Sequence, residues 1–221
     1  MADASHELKT PLTVILTNTG ILLSHPGDSI QSQHKWVDYI RDEAQRMRAL
    51  VEDLLFLAKS DDPRRDSARP LPVDLSELCW SALLPFEPVA FEAGVELDSQ
   101  VEPDLAVSGH ADQLRRLVTI LLDNAVKYAG DRGAVAVRLD RCEKNAARLT
   151  VKNTGPAIPP AQLEHLFERF YRADDSRART SGGYGLGLAI AKELAVLHHG
   201  TLEVTRSGPG GTTFELKLRH S

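Results

Sequence analysis

Apolar residues recur at Leu8, Leu12, Ile15 and Leu22, with Thr19 as the one polar step. That alternation of four and three residues predicts a helix carrying a coiled-coil seam. His25-Pro26-Gly27-Asp28-Ser29 then breaks it, because proline and glycine together mark a turn. A second helix is predicted from Val37, Ile40, Ala44, Met47, Val51, Leu54 and Ala58, which alternate three and four without a slip. Trp36, Leu50, Leu55 and Leu57 widen its stripe beyond what one partner helix covers. Two helices joined by a short turn form an antiparallel hairpin, and a stripe this wide is covered by dimerisation into a four-helix bundle. His6 falls two residues before Leu8 on the outward side, so it should face solvent.

The period disappears after Ser60. The stretch SDDPRRDSARPLP, Ser60–Pro72, is rich in Pro, Arg and Asp and reads as an interdomain linker. This sets residues 1–60 as a helical hairpin, 61–72 as linker and 73–221 as a second domain. Within it, Leu75–Ala93 predicts a helix with Ser76 in its first turn and Gly94 as its stop. Val95–Ser99 and Leu105–Ser108 are short strand candidates. Ala111–Tyr128 is a helix whose broad face carries Leu114, Leu117, Val118, Leu121, Leu122 and Ala125. Val135–Leu139 and Arg148–Lys152 alternate like paired strands. Arg172–Gly183 is polar, charged and glycine-ended, which predicts a mobile loop. Gly185–His199 is a helix closed by Gly200, and Thr201–Thr205 and Thr212–Leu218 form a last strand pair. The sum is an all-α hairpin followed by an α+β two-layer sandwich.

Composition adds exclusions. The 221 residues are 42% apolar and 26% charged with a net charge of −5, ordinary for a globular protein and unfavourable to nonspecific nucleic-acid binding. Cys79 and Cys142 have no CxxC spacing and read as reduced packing residues. No leader peptide and no bilayer-length apolar run is evident, so any membrane attachment is expected outside this chain.

Four clusters carry chemistry. In Ser5-His6-Glu7-Leu8-Lys9-Thr10-Pro11, His6 and Thr10 share a helix face, and Pro11 denies the Glu7 carbonyl its intrahelical donor. Alone, this fits a solvated helix surface as well as a reactive site. Gly182-Gly183-Tyr184-Gly185-Leu186-Gly187 opens an apolar helix, where glycines let backbone N–H groups approach a polyphosphate at a positive helix end. It fits a flexible hinge equally; a Rossmann turn is disfavoured because no strand precedes it, and GxxxxGK[ST] is absent. Asn124-Ala125-Val126-Lys127-Tyr128 closes the apolar helix: an amide oxygen can ligate Mg²⁺, Lys127 can neutralise phosphate and Tyr128 can pack on a base. Asn153-Thr154-Gly155-Pro156-Ala157-Ile158-Pro159 ends a strand, either as a plain Asn-initiated turn or as an acceptor for an adenine amino group.

Together these segments resemble the core of a bacterial two-component sensor histidine kinase. SHELKTPL resembles the family's H-box, LLDNAVKYA its N-box, NTGPAIPP its G1 box and LFERFYR its F-box. GYGLGLAIAKEL resembles the G2 box and GGTTFELKL the closing G3 segment, all in the family's order. The resemblance implies a dimerisation and histidine-phosphotransfer hairpin joined to a Bergerat-type ATP-binding domain. It implies a protein-histidine autokinase that uses ATP and Mg²⁺, phosphorylates His6 and relays the phosphoryl group to an aspartate of a response regulator. His6 corresponds to the phosphoacceptor, Glu7 to its acid/base neighbour and Thr10 to the hydroxyl that aids dephosphorylation of the regulator. Asn124 corresponds to a Mg²⁺ ligand, Lys127 to a phosphate contact, Tyr128 to an adenine neighbour and Arg172 to a lid arginine on the transferring phosphoryl. Asn153, Gly155, Ile158, Leu186 and Thr212 fall at nucleotide-binding positions, and Gly183, Gly185 and Gly187 at the phosphate cradle. The implied partners are a second copy of the chain and a receiver domain, in the cytoplasmic portion of a membrane-anchored sensor.

The match departs at three places. Ile120 stands where the family usually has a second asparagine, so one metal contact is lost or replaced by water. Asn153 replaces the usual adenine-binding Asp, keeping an acceptor oxygen and losing the charge. Ala157 stands where glycine is common, adding a methyl to the pocket. They motivate an alternative, a nucleotide-impaired dimeric scaffold that binds or dephosphorylates the regulator.

Overall fold

The computed structural model describes residues 2–60, 70–143, 146–173 and 183–219. The chain divides into two compact units, Met1–Arg65 and Asp66–Ser221. Most of the predicted linker and of the predicted 172–183 loop lies outside the described residues.

The first unit is the hairpin: α1 spans Ala2–Ser24, α2 spans Ile30–Ser60, and residues 25–29 turn between them. α1 continues through Pro11, which is buried. Its hydroxyls and amides bond back to their own helix, as in Thr13 Oγ1 to the Lys9 carbonyl at 2.8 Å and Asn18 Nδ2 to the Val14 carbonyl at 2.8 Å. The expected seam is only partly the contact between the two helices. Leu8, Ile15 and Leu22 are half-buried, whereas Leu12 is 46% exposed; in α2 Ile40, Met47 and Leu54 are half-buried, whereas Val37 and Val51 remain 41% exposed. The strict heptad therefore straddles two faces. The inner rows are offset by one residue, to Pro11, Val14 and Asn18 on α1 and to Trp36, Glu43 and Leu50 on α2. What the heptad also marks is an outer apolar stripe that this hairpin does not cover itself.

The second unit begins one strand earlier than expected. β1 (Leu71–Asp74) pairs antiparallel with β3 (Ala106–Gly109) as a separate two-stranded sheet. The single helix expected over Leu75–Ala93 is two, α3 (Leu75–Leu83) and α4 (Phe86–Glu92). Pro85, which has no N–H to continue the helical ladder, separates them. The cap of α3 is Asp74, whose carboxylate accepts from the Glu77 N–H at 2.9 Å. Ser76 instead donates to the Glu102 carbonyl at 2.7 Å and accepts from the Leu105 N–H at 3.0 Å, tying α3 to the chain before β3.

The main sheet has strand order β2-β4-β5-β7-β6: β2 (Glu96–Val101), β4 (Ala134–Glu143), β5 (Ala146–Asn153), β6 (Thr201–Gly208) and β7 (Gly211–Arg219). β2 runs parallel to β4 and the other pairs are antiparallel. Its core face is one cross-strand row after another, such as Leu139–Leu149–Leu216–Leu202 and Val137–Val151–Phe214–Val204. α5 (Ala111–Tyr128) packs between this sheet, α3 and α7 (Gly187–Leu197), and α6 is a short turn of helix at Pro160–Leu163. All six residues expected on the apolar face of α5 are buried. This is the two-layer α+β sandwich expected from the sequence.

Two smaller features fix the edges. Cys79 is buried and its thiol is pushed up to about 12 by burial, so it is an inert packing group. His198, at the end of α7, accepts the His110 N–H on Nε2 at 3.1 Å while its Nδ1 faces the Leu194 carbonyl at 2.8 Å. Burial holds this histidine below its usual pKa, and the two bonds require the neutral ring with the proton on Nδ1.

Candidate functional site

α5 has two faces with opposite tasks. Leu114, Leu117, Val118, Leu121, Leu122 and Ala125 enter the core, and Thr119, Ile120, Asp123, Asn124, Lys127 and Tyr128 line a cavity of about 600 Å³. The second set recurs at helical spacing, so one register fixes both. The opposite wall is the loop following β5, through Pro156, Ala157, Ile158 and Pro159. Thr212 and Phe214 of β7 form part of the floor, and Tyr171–Ala173 with Gly183–Gly185 and Gly187 form the remaining edge.

Asn153 sits on the core row that starts at Leu149 and Val151, which is why a polar residue is buried there. Its Nδ2 donates to the Tyr128 carbonyl at 3.2 Å and to the Thr154 carbonyl at 2.5 Å. With both amide protons engaged, the group offers Oδ1 to the cavity as an acceptor. The carbonyls set this orientation, since a flipped amide would face oxygen with oxygen. An aspartate here would meet the same two carbonyls without a donor.

Asn124 behaves alike at the other end. Its Nδ2 donates to the Ile120 carbonyl at 2.8 Å, which leaves Oδ1 as a hard donor toward the cavity. Ile120 also lines the cavity, adding a hydrocarbon surface beside that oxygen.

Cationic charge is concentrated beside it, at Lys127 and Arg172. Burial and the neighbouring Arg172 both lower the pKa of Lys127, and Asp123 opposes them. Arg172 Nη2 is buried and has no hydrogen-bond partner among the described residues. An orphaned guanidinium nitrogen beside a lysine that repels it is an anion site in waiting, because an oxyanion satisfies the one and relieves the other. The glycines hold the backbone close. Gly185 has φ +69°, and a Cβ there would lie 2.8 Å from the Tyr171 carbonyl oxygen, so only glycine brings the two edge segments together. The Phe170 N–H donates to the Gly185 carbonyl at 2.9 Å across the same contact. A Cβ on Gly183 would lie 2.9 Å from Lys127 Nζ, leaving that approach free for an anion.

The residues expected at the site divide cleanly. Asn124, Lys127, Tyr128, Asn153, Ile158, Arg172, Gly183, Gly185, Gly187 and Thr212 all line the cavity. Leu186 does not; its side chain is buried in the core between two cavity glycines. Gly155 does not either: at φ +120° it lets the loop lie on the Tyr128 carbonyl, where a Cβ would come within 2.2 Å. His6, Glu7 and Thr10 lie in the hairpin unit. His6 and Thr10 are exposed, as expected of an outward face, and Glu7 is half-buried. Sequence reasoning passed over Thr119 and Asp123, which the helical spacing about Asn124 and Lys127 contains, and Phe214, two residues along β7 from Thr212. Phe86 carries no sequence signal; the break at Pro85 brings it to the wall.

Residues 1–63 match the His Kinase A (phospho-acceptor) domain, and residues 109–221 match the histidine kinase-, DNA gyrase B- and HSP90-like ATPase. The probable sensor histidine kinase TcrY of Mycobacterium tuberculosis is 39% identical over 221 residues, 99% of this chain and 45% of that protein. The sensor protein DltS of Streptococcus agalactiae is 35% identical over 203 residues, 91% of this chain and 49% of its own length. The chain thus spans about half the length of these relatives. Among solved structures, ShkA in complex with AMPPNP superposes with a TM-score of 0.76 at 27% identity, covering 100% of this chain and 45% of that one. An acceptor-histidine hairpin followed by an ATP-binding α+β domain places this chain in the sensor histidine kinase family of two-component systems.

Proposed function

We propose that the chain is an ATP-dependent protein-histidine autokinase that phosphorylates His6 and passes the phosphoryl group to an aspartate on the receiver domain of a response regulator. The observation that carries this is Arg172, which lines the cavity with Lys127 and whose buried Nη2 has no hydrogen-bond partner among the described residues. The base end fits adenine, whose amino group is a donor for Asn153 Oδ1, and Thr212 and Ile158 flank it. The ShkA relative was solved with AMPPNP, which supports the same occupant here.

In the transfer, His6 Nε2 attacks the γ-phosphorus with its lone pair as the bond to the bridging oxygen breaks and ADP leaves. The Nδ1 proton passes to Glu7, so the ring stays neutral enough to act as nucleophile. His6 and Glu7 are successive on one helix, so their side chains leave it in different directions. Arg172 and Lys127 neutralise the transferring oxygens, which is the main demand of phosphoryl transfer. Asn124 Oδ1 would hold Mg²⁺, and water would fill the position that Ile120 cannot ligate. The bound metal supplies charge neutralisation across the phosphates. Thr10 Oγ1 lies 3.5 Å from the His6 carbonyl, a long bond that leaves its hydroxyl available to orient a water for dephosphorylating the regulator. The outer stripe of the hairpin is covered by a second copy, giving a homodimer, and the chain is the cytoplasmic part of a longer, membrane-anchored sensor. Among the described residues, no helix is long and apolar enough to cross a membrane.

Incubation with γ-labelled ATP and Mg²⁺ should label the wild-type chain and leave His6→Gln unlabelled; equal labelling of the two contradicts the proposal. Ile120 favours a second reading, a nucleotide-impaired dimer that serves as a regulator-binding protein or phosphatase. Titration calorimetry separates them: tight Mg-ATP binding supports the kinase, and absent binding the scaffold.

A further inference from the structure

The end of the β6–β7 hairpin touches the cavity wall through a residue that does not itself reach the cavity. Ser207 is half-buried, and its Oγ accepts the Ile158 N–H at 2.8 Å. The same oxygen lies 3.1 Å from Thr212 Oγ1. Ile158 and Thr212 belong to the cavity lining, one on the loop after β5 and the other on β7. One serine hydroxyl therefore joins the loop after β5 to β7 beyond the end of their ladder at Asn153 and Thr212.

A break in strand register puts Ser207 there. Leu202 and Val204 face the core opposite Leu216 and Phe214, so simple alternation would set Arg206 opposite Thr212. The register shifts between Val204 and Arg206, and Ser207 takes the place opposite Thr212 instead. A bulge that adds one residue to a strand re-aims every later side chain, and bulges are enriched beside active sites for this reason. Just beyond, Gly211 has φ +100° and its α-carbon abuts the Asn153 carbonyl, where a Cβ would come within 1.9 Å. The hairpin end is thus pressed onto the start of the same loop at a second point.

We propose that Ser207 is a positioning residue for the nucleotide site: it fixes the Ile158 amide and the Thr212 hydroxyl, and with them the width of the base end of the cavity. The inference rests on the ATP reading given above. It concerns the base end alone, so Lys127, Arg172 and His6 are not affected by it. Loss of the hydroxyl should raise KM for ATP and leave kcat for His6 labelling at saturating ATP unchanged.

The test compares wild type, Ser207→Ala and Ser207→Thr in full-chain labelling kinetics and Mg-ATP titration. Ser207→Ala should raise KM and the dissociation constant about tenfold, the order expected for one neutral hydrogen bond. Its kcat should stay within about twofold, and Ser207→Thr, which keeps the hydroxyl, should restore KM. Unchanged KM in Ser207→Ala, failure of Ser207→Thr to rescue it, or a fall in kcat alone would each overturn the proposal. A measurement on the wild-type protein covers the case in which the alanine variant does not fold. The Ile158 amide should exchange slowly with solvent deuterium before nucleotide is added, and fast exchange there overturns the proposal. Failure of the wild type to bind Mg-ATP would instead remove the ATP reading, with the Ile158 protection still reporting the contact.

Discussion

The two units of this chain solve the burial problem in opposite ways. The α/β unit closes its own core: eleven of its leucines and isoleucines are among the largest fully buried side chains, and its functional groups line a cavity beside that core. The hairpin leaves Leu12, Leu16 and Leu23 of α1 and Val37, Val51 and Leu55 of α2 between 41% and 75% exposed, and its proposed acceptor stands on the outer surface. One unit holds its chemistry by packing around it, and the other presents it. Perturbations should therefore act on the hairpin through association and on the α/β unit through hydrogen bonding and charge inside the cavity.

The largest effect is expected where the hairpin depends on a second copy. Leu16 is 63% exposed, and Leu16→Glu should weaken dimerisation about a thousandfold. That figure takes about 2 kcal/mol of lost burial from each of two symmetric copies. Analytical ultracentrifugation should find a monomer whose Mg-ATP affinity equals that of wild type. A variant that remains dimeric would break the contrast between the units.

Within the cavity, Arg172→Ala removes a guanidinium whose Nη2 has no partner among the described residues, and it should slow His6 labelling about a hundredfold, the usual cost of losing one donor to a developing phosphoryl charge. Rapid-quench labelling at saturating ATP measures it. A wild-type rate would assign that nitrogen a purely structural role.

Asn153→Asp sharpens the point that the amide serves a structural purpose as well. The new carboxylate would face the Tyr128 and Thr154 carbonyls with no proton to offer. Urea unfolding should show a loss of about 1–2 kcal/mol. Unchanged stability would mean that the two carbonyls do not hold the amide.

The smallest effect concerns pH. Burial keeps His198 neutral in the folded unit, below its ordinary 6.5. As pH falls through that value the unfolded chain takes up the proton first, so stability present above it declines toward lower pH. His198→Asn should flatten that slope in thermal melts between pH 7 and pH 5. An identical slope would show that other groups set it.

Much of this arrangement was legible in the sequence because single periodicities carried it. The apolar rows of α5 determined its core face, and the same register aimed Asn124 and Lys127 at the cavity. Asn153 was legible as the polar residue ending the β5 strand, and its burial follows from the row of Leu149 and Val151 before it. The failures come where one local signal had two outlets. The α2 heptad marks both an inner and an outer face, so one seam contains Val37 and Val51, which are exposed, beside Ile40 and Met47, which are half-buried. The run from Leu75 to Ala93 looked continuous because its apolar spacing masked the stop at Pro85. β1 gained its partner from β3, a non-local pairing that neither segment announces. The β6 bulge, on which the placement of Ser207 depends, arises from the fit of two strands and leaves no mark in composition.

The central claim is that the cavity of the α/β unit charges one residue of the hairpin, and the bond formed there has a chemical signature. A phosphoryl group on imidazole nitrogen is lost in acid, because protonating the ring makes it a good leaving group, and it survives in base. After incubation with γ-labelled ATP and Mg²⁺, peptide mapping should place the label on the fragment containing His6, acid-labile and base-stable. A label that survives acid, or that lies on any other fragment, would contradict the account.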